Sequence, residues 1–386
     1  MNSPYTFYEF FAGGGMVRAG LGQGWRCLFA NDFDHRKCST YKANWGDAEI
    51  KHGDVRDLSV RDLPGSPDLV WASFPCQDLS LAGGGAGLKG ERSGTFWPFW
   101  DLMKSLMADG RAPTLITLEN VCGTLTSHQG RDFAAICEAF SKEGYKVGAV
   151  VIDAAYFVPQ SRPRLFFIGI HGDALIPEDL VSLGPADMWH TRALKTAYKK
   201  LDPVVRSNWL WWNISTPAPR SKNFSDFVEE NPESVKWHSA QETKQLLAMM
   251  SEVNLEKVRE AKRTGRKMVG TIYKRTRRDE FGRKVQRAEV RFDGIAGCLR
   301  TPAGGSSRQL IIVVEGKKVR SRLISTLETA RLMGLEDSYI LPQNYNEAYH
   351  LTGDGVVAPV VSHLASHVFR PLLILNQKLK SERAAA

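Results

Sequence analysis

The chain has 386 residues, 43% of them hydrophobic and 24% charged, and a formal net charge of +9. This length suggests about two domains, and the composition excludes a wholly disordered chain, a collagen and a coiled-coil rod. The six cysteines are scattered without a C-x-x-C pair, so we expect free thiols in a reducing compartment and no metal site. We also find no apolar run of membrane-spanning length and no secretory signal, which predicts a cytoplasmic protein without membrane contact.

Short apolar runs alternate with amphipathic stretches through the first 170 or so residues, a pattern that predicts an α/β fold with a doubly wound, mostly parallel sheet. The predicted strands are Thr6–Phe10, Arg26–Ala30, Leu69–Ala72, Leu115–Leu118, Tyr145–Ile152 and Leu165–Ile170, and the predicted helices are Asp34–Ala43, Trp97–Met107 and Asp132–Lys142. From about Gly172 the alternation fades. We then predict a strand at Leu310–Val314, a helix at Leu327–Met333, an apolar segment at Val356–Leu375 that rejoins the first domain, and a frayed tail at Lys378–Ala386.

Three predicted strands end in residues suited to an adenosine-containing cofactor. The first runs into a glycine loop, where the backbone can turn tightly and approach a ligand; a simple strand-to-helix turn explains that loop equally well. The second ends in an acidic residue about twenty positions on, where ribose hydroxyls are commonly held. The residues are Phe11-Ala12-Gly13-Gly14-Gly15, Asn31-Asp32 and Gly53-Asp54-Val55. The sequence lacks a P-loop Gly-Lys-Ser/Thr, which disfavours ATP hydrolysis.

A cysteine follows the strand Leu69–Ala72, in the segment Ser73-Phe74-Pro75-Cys76-Gln77. A cysteine beyond a strand and a rigid proline is placed like a nucleophile, although a lone cysteine is more often a small core residue. The glycine-rich run after it favours the nucleophile, because it predicts a lid over a catalytic face.

An acid and two arginines follow later strands. Glu119 is expected to serve as a proton donor once burial raises its pKa. Arg162 and Arg164 alternate in an extended segment, so we expect both to face one anionic or carbonyl group.

One segment holds the whole positive excess. Ala261–Arg291 contains twelve basic and three acidic residues, a net charge of 12 − 3 = +9, which leaves the remainder neutral. The concentration predicts a polyanion partner, and a solvated charged hairpin is the alternative interpretation.

In combination, these residues resemble the DNA (cytosine-5) methyltransferases of the bacterial restriction-modification type. The resemblance rests on Phe11-Ala12-Gly13-Gly14-Gly15, Pro75-Cys76-Gln77, Glu119-Asn120-Val121 and Gln160-Ser161-Arg162-Pro163-Arg164, with Arg322–Gly334 and Gly353-Asp354-Gly355-Val356 similar to the last two motifs. The sequence departs from the family at Asp354, where Asn is common. We assign roughly residues 173–310 to no motif, as expected of the variable region that reads the target sequence.

The resemblance implies S-adenosylmethionine as cofactor, S-adenosylhomocysteine as product, no metal, and double-stranded DNA as partner. It implies the catalytic residues Cys76, Glu119, Arg162 and Arg164, and the cofactor-binding residues Phe11, Ala12, Gly13, Gly15, Asp32, Phe33, Asp54, Val55, Pro75, Phe96 and Asp354. The target cytosine must be flipped out of the duplex to be reached. For DNA contact we predict Gln77, Ser80 and Arg92 near the lid, and Lys274, Arg275, Arg277, Arg278, Arg283 and Arg287 in the basic segment.

The implied organisation is a catalytic and cofactor-binding domain at 1–172, a smaller, irregular target-recognition domain at 173–349, and a segment at 350–386 that returns to the catalytic domain. We expect a monomer associated with the bacterial nucleoid, with any cognate restriction endonuclease acting separately. Two alternatives stay open: an RNA cytosine-5 methyltransferase, and a catalytically silent DNA-binding regulator of the same fold. A thiol hydrolase is disfavoured because no histidine partner accompanies Cys76.

Overall fold

The computed structural model describes residues 4–75, 93–301 and 307–385, and the chain divides into two compact units. We call them the sheet unit, which comprises Met1–Asp153, Pro163–Pro217 and Val356–Ala386, and the hairpin unit, which comprises Ala154–Arg162 and Ala218–Gly355. These boundaries differ from those predicted after residues 172 and 349. The sheet unit extends further along the chain, and a short segment ahead of residue 163 belongs to the hairpin unit.

A seven-stranded sheet forms the centre of the sheet unit. Its strands are β1 (Tyr5–Phe10), β2 (Trp25–Asp32), β3 (Ile50–His52), β4 (Leu69–Ala72), β5 (Leu115–Val121), β6 (Tyr145–Asp153) and β7 (Pro163–His171). They lie in the order β3-β2-β1-β4-β5-β7-β6, in which β7 is antiparallel to β5 and β6 while the other neighbours are parallel. The predicted α/β fold with a mostly parallel sheet is confirmed, and each predicted strand lies within an observed one.

Helices and short strands cover this sheet: α1 (Met16–Leu21), α2 (His35–Trp45), α3 (Phe96–Ala108), α4 (Arg131–Lys142), β8 (Val181–Ser182), α5 (Arg192–Lys199), α6 (Pro203–Ser207) and β9 (Trp211–Trp212). Helix α3 shows why they pack there. Its residues Phe96, Phe99, Trp100 and Met103 recur at helical spacing and are buried, so they form one apolar stripe against the sheet.

Tryptophans explain why residues 173–217 belong to the sheet unit. Trp209 and Trp211 lie in the same buried cluster as strand residues of the sheet, and Trp212 Nε1 donates to the Ile168 carbonyl at 3.2 Å. Gly148 on β6 has no room for a side chain, because a Cβ there would lie 2.7 Å from the Trp212 ring. These residues complete the core of the sheet unit.

The hairpin unit contains a four-stranded antiparallel sheet in the order β11-β10-β12-β13. Its elements are α7 (Ala240–Ala248), α8 (Glu252–Arg263), β10 (Lys267–Arg278), β11 (Lys284–Arg291), β12 (Leu310–Glu315), β13 (Lys318–Leu323), α9 (Thr326–Leu332) and α10 (Tyr345–Asp354). Side chains from α7, α8 and the sheet, among them Leu246, Val258, Ile272 and Ile312, form its core. The expectation of an irregular domain is therefore wrong for this unit, whereas the predicted strand and helix are present.

The C-terminal segment lies in the sheet unit as α11 (Ala358–Leu364), a π-helical turn at Ala365–Phe369 and α12 (Arg370–Ala385). Gly20 on α1 lets α11 approach closely, since a Cβ there would meet the Val361 side chain, and Ser362 Oγ donates to the Gly20 carbonyl at 2.6 Å. The tail that we expected to fray continues as helix to Ala385.

One helical stretch, Tyr345–Leu379, is long enough to span a membrane and contains an 18-residue window with a mean hydropathy of 1.3. In its most apolar window, 61% is buried inside the protein, as in a core helix of a soluble protein. It is therefore a weak indication of a membrane segment, although the sequence analysis had found no run of that length.

Candidate active site

The glycine loop after β1 is held against the end of β2. The Ala12 amide donates to the Asn31 carbonyl at 2.9 Å, and the Gly13 amide donates to Asp32 Oδ2 at 2.8 Å. Phe11 has a φ of 56°, which non-glycine residues adopt rarely and at a cost. Gly15 has a φ of 79°, and a Cβ there would overlap the Trp45 ring. The loop thus has one defined shape, and it brings Phe11, Ala12, Gly13 and Asp32 together as predicted.

A buried carboxyl and an exposed aromatic ring lie side by side at the end of β2. Asp32 accepts from the Gly13 amide through Oδ2 and from the Asp34 amide, at 2.8 Å, through Oδ1. Burial raises the pKa of Asp32 above its ordinary value. Phe33 beside it is 71% exposed, which is unusual for a ring of this size. This pair suits a sugar hydroxyl and a flat base.

The third loop joins the same edge of the sheet. The Gly53 amide donates to the Asp32 carbonyl at 3.1 Å, and Asn31 Nδ2 donates to the Lys51 and Gly53 carbonyls, both at 3.0 Å. Asp54 begins a short 3₁₀ turn by accepting from the Arg56 amide, and its Oδ2 pairs with the Arg56 guanidinium at 2.9 Å. Val55 is buried behind it. The three predicted cofactor loops therefore meet at the carboxyl ends of β1, β2 and β3.

Phe96 does not reach this surface. Its side chain is fully buried, and its ring lies 5.4 Å from that of Phe74 and 5.8 Å from that of Trp100. A cofactor cannot touch a ring with no exposed surface, so the structure places Phe96 in the core. Its neighbour Trp97 is partly exposed. Pro75, the last described residue of this segment, is half-buried.

Glu119 and Arg164 form a buried pair across β5 and β7. Arg164 Nε lies 3.1 Å from Glu119 Oε1, and both side chains are largely removed from solvent. Next to them, Asn120 Nδ2 donates to the Phe74 carbonyl at 3.2 Å, so the end of β5 is tied to the segment that leads into Cys76. A carboxyl and a guanidinium thus lie together beside the segment that leads to Cys76, the predicted nucleophile.

Arg162 makes hydrogen bonds to backbone carbonyls of the hairpin unit. It is 2% exposed and lies in the hairpin unit, where Nη1 donates to the Leu299 carbonyl at 3.0 Å and Nη2 donates to the carbonyls of Gly353 and Gly355 at 2.8 and 2.7 Å. The alternation on which we based a shared target begins only at Pro163, where β7 starts, so it does not extend back to Arg162, and a group faced by both arginines stays a prediction. In this structure, Arg162 holds three backbone segments together.

Several predicted site residues lie elsewhere or outside the described residues. Cys76, Gln77, Ser80 and Arg92, together with the predicted lid, fall outside the described ranges. Asp354 lies in the hairpin unit, where it accepts from Thr301 Oγ1 at 3.0 Å.

The predicted DNA-contact residues lie on one hairpin of the hairpin unit. Lys274, Arg275, Arg277 and Arg278 are on β10, Arg287 is on β11, and Arg283 is in the turn between them. Some are paired within the protein: Arg275 and Arg277 both contact Glu289, and Arg283 Nε lies 2.8 Å from Asp279. The basic residues are therefore displayed on a regular surface.

Glu9 is a residue that the sequence analysis missed. It lies on β1, is fully buried, and accepts from the Val17 amide at the start of α1 at 3.3 Å. Burial raises its pKa to about 8. The sequence feature that could have identified it is an acidic residue between Tyr8 and Phe10, in a strand predicted to be buried on both faces.

Comparison with known proteins identifies the class. Residues 5–370 match the family described as C-5 cytosine-specific DNA methylase. The chain therefore belongs to this family and is a DNA (cytosine-5-)-methyltransferase.

Curated relatives cover most of the chain. The type II methyltransferase M.BsuFI of Bacillus subtilis is 25% identical over 97% of this chain and 75% of its own length. M.HpaII of Haemophilus parainfluenzae is 24% identical over 96% of this chain and 91% of its own length.

Among solved structures, an Entamoeba histolytica methyltransferase matches with a TM-score of 0.63 at 14% identity, over 96% of this chain and 99% of its own. The Dnmt2 methyltransferase of S. pombe matches with a TM-score of 0.57 at 16% identity, over 95% and 99% of the two chains. These likenesses show the fold.

Proposed function

We propose that this enzyme transfers a methyl group from S-adenosylmethionine to C5 of a flipped-out cytosine in a specific double-stranded DNA sequence, through a covalent bond between Cys76 and C6. One observation carries the proposal. The Glu119–Arg164 pair lies at the ends of β5 and β7, and Asn120 ties that edge to the Phe74 carbonyl, two residues before Cys76. A nucleophile, an acid and a guanidinium are what addition to a cytosine ring requires.

The loops at β1, β2 and β3 fit the proposed cofactor. Asp32, already oriented by two amide donors, would hold the ribose hydroxyls, and the exposed ring of Phe33 would lie on the adenine. Asp54 would accept from the adenine amino group, and the shaped loop from Phe11 to Gly15 would hold the rest of the molecule. When bound, S-adenosylmethionine supplies an electrophilic methyl group.

The chain's own residues would make C5 nucleophilic. The Cys76 thiolate forms a bond to C6, the π electrons of the C5–C6 double bond move to C4–C5, and those of the C4–N3 double bond move to N3, which leaves C5 as the nucleophilic carbon of an enamine. Glu119 gives or shares a proton at N3, which limits the negative charge on the ring and is typically worth about 10²–10⁴ in rate. Arg164 stabilises charge at the base carbonyl. Loss of the C5 proton to a solvent base then expels the thiolate and restores the aromatic ring.

We further propose that the chain is the modification enzyme of a type II restriction-modification system, since several curated relatives have that name. Such an enzyme would act as a monomer in the cytoplasm, at the nucleoid and without membrane contact, with any cognate endonuclease acting separately. The RNA methyltransferase and the silent regulator have no support in these relatives.

The test is methyl transfer from labelled cofactor to unmethylated genomic DNA, followed by bisulfite sequencing to locate the modified cytosine. We expect one short sequence to be modified at one cytosine. A duplex with 5-fluorocytosine at that position should trap a covalent adduct, because fluorine cannot leave as the proton does. Labelled transfer RNA without labelled DNA, or no label in either, would contradict the proposal.

A further inference from the structure

The loop from Phe11 to Gly15 has a shape that the chain does not keep without support. Phe11, Gly13 and Gly15 all have positive φ angles, of 56°, 56° and 79°. This backbone conformation has an energetic cost at Phe11, and the glycines give the loop many competing conformations. Such a loop keeps one shape only where surrounding groups fix it. A ligand that binds an unfixed loop loses affinity to the cost of ordering it.

Side chains on β2 and α2 bond to the backbone of this loop. On β2, Asp32 Oδ2 accepts from the Gly13 amide at 2.8 Å. On α2, the last helical residue is Trp45, and its Nε1 donates to the Gly14 carbonyl at 3.0 Å. Trp45 is half-buried and is not among the residues that the family resemblance implies for the cofactor. The loop is therefore fixed by a group on α2 as well as by its neighbouring strand.

The bond from Trp45 fixes one peptide unit, the one that joins Gly14 to Gly15. Its carbonyl accepts from Trp45 Nε1, and its N–H, on Gly15, donates to the Ala12 carbonyl at 2.8 Å. A peptide unit between two glycines can rotate with little steric resistance, because neither residue has a Cβ. Rotation by half a turn would exchange the carbonyl and the N–H and break both bonds. Trp45 therefore selects which polar group of this unit faces each side of the loop.

The indole of Trp45 is itself held in place by α1. The Arg18 guanidinium lies 5.3 Å from the centroid of the Trp45 ring, within range of a cation–π interaction. Arg18 Nη1 also lies 3.1 Å from Glu49 Oε2 and donates to the Tyr41 hydroxyl at 3.1 Å, which fixes the guanidinium. On the loop side, Gly15 leaves room for the indole, since a Cβ there would overlap Nε1. Trp45 cannot turn away from the loop without losing its contact with Arg18.

We propose that Trp45 is a positioning residue for the cofactor, which holds the Gly14–Gly15 peptide in the orientation that accepts the amino-acid part of S-adenosylmethionine. The proposal rests on the proposed function, in which Asp32, Phe33 and Asp54 hold the adenosine and the glycine loop holds the rest of the molecule. Trp45 acts through the loop backbone and touches no reacting atom. Its loss should therefore weaken the ligands that carry the amino-acid part and spare those that lack it.

The first test compares two ligands by calorimetric titration. S-adenosylhomocysteine carries the amino-acid part, whereas methylthioadenosine has the same adenosine and sulfur without it. The variant Trp45→Phe keeps an aromatic ring and removes the N–H donor. We expect its affinity for S-adenosylhomocysteine to fall about 3- to 10-fold, the usual value of one hydrogen bond, while its affinity for methylthioadenosine stays unchanged. The ratio of the two affinities is the readout, because a general loss of structure would lower both.

Trp25→Phe on β2 is the matched control. Trp25 Nε1 is buried and makes no hydrogen bond within the described part of the chain, so this variant loses the same atoms without a loop contact. It should lower the free energy of unfolding and leave the affinity ratio unchanged. An unchanged ratio in Trp45→Phe, or the same change of ratio in both variants, overturns the proposal. A wild type that binds neither ligand would reject the proposed cofactor and this inference with it. The expected ratios in an enzyme that methylates no DNA would support the inference and contradict the proposed function.

The second test follows the loop in the enzyme without ligand, by hydrogen exchange. The Gly15 amide belongs to the peptide unit that Trp45 fixes, so its exchange reports how well that unit is held. Trp45→Phe should speed this exchange about 3- to 10-fold, and Trp25→Phe should leave it unchanged. Arg18→Met should act in the same direction with a smaller factor, and should add nothing in the Trp45→Phe background if it acts through the indole. Unchanged exchange in Trp45→Phe overturns the proposal, and additive effects exclude the part given to Arg18.

Discussion

The two units handle charge in opposite ways. In the sheet unit the charged groups at the strand ends are buried and each has specific partners, as Glu119 has Arg164 and Asp32 has two amides. In the hairpin unit, strands β10 and β11 display charged side chains on both faces of their pair, with Arg275 opposite Arg287 and Arg278 opposite Lys284. Buried, oriented charges suit chemistry at a defined atom, because they need no reorganisation there. Exposed cations suit a partner that offers many equivalent phosphates.

This contrast predicts that chemistry and binding can be separated by mutation. The largest expected effect is that of Cys76→Ala, which should abolish methyl transfer, because no other group in the proposed mechanism can form the bond to C6. Binding to cognate duplex, measured by titration, should stay within a few-fold of wild type, since the thiolate acts after recognition. Methyl transfer by the variant would contradict the covalent mechanism. Loss of DNA binding by the variant would contradict the separation of catalysis from binding.

The next effect is expected from Glu119→Gln. It should lower the rate of methyl transfer by at least about 10²-fold, the usual minimum for a lost general acid, while cofactor affinity stays unchanged. Single-turnover kinetics with separate cofactor titration would measure both quantities. Glu138→Gln, on the half-exposed end of an ion pair with Lys142, is the matched control and should behave as wild type. Turnover of the Glu119 variant at the wild-type rate would exclude this residue from catalysis.

The shape of the cofactor edge is tested by two glycines with similar φ angles, Gly15 and Gly144. Gly15→Ala places a Cβ at a φ of 79° and into the Trp45 ring, so we expect a loss of about 2–4 kcal/mol in the free energy of unfolding. Gly144→Ala, at a φ of 77° with nothing within 4 Å, should lose only about 1 kcal/mol. Chemical denaturation of both variants measures the difference. Equal losses would mean that backbone strain alone, without the ring contact, sets the cost.

The sheet unit was the more predictable of the two from sequence, for a physical reason. Buried parallel strands are continuous apolar runs, so β1, β4 and β5 were recognisable, and loops after such strands meet at one edge. That is why the Gly13–Asp32 contact was foreseeable. In strands β10 and β11, closely spaced charges obscure the alternation of strand residues, and the hairpin unit was wrongly expected to be irregular.

Other details depended on contacts that no local pattern encodes. Arg162 bonds to the carbonyls of Leu299, Gly353 and Gly355, more than 130 positions along the chain. Phe96 lies on the buried side of α3, while Trp97 beside it is the partly exposed ring. The two residues are adjacent on the helix, and the sequence alone does not determine which of them faces the core.

Glu9 provides the smallest expected effect and tests whether buried charge in the sheet unit has a stability cost. Its pKa is raised from 4.5 to about 8 by burial, so the folded state binds the proton more tightly than the unfolded state does. The resulting stabilisation is fully present below about pH 4.5 and is lost as the pH rises through about 8.

Glu9→Gln stays neutral at every pH, and its amide oxygen can still accept from Val17. We therefore expect the variant to be less stable than the wild type below about pH 4.5, where only the cost of one added amide donor in the core remains, and about 1–2 kcal/mol more stable than it at pH 9. Denaturation of both proteins at several pH values measures this difference. Parallel curves for wild type and Glu9→Gln would mean that Glu9 is charged in the folded protein throughout, with a counter-charge that offsets its burial.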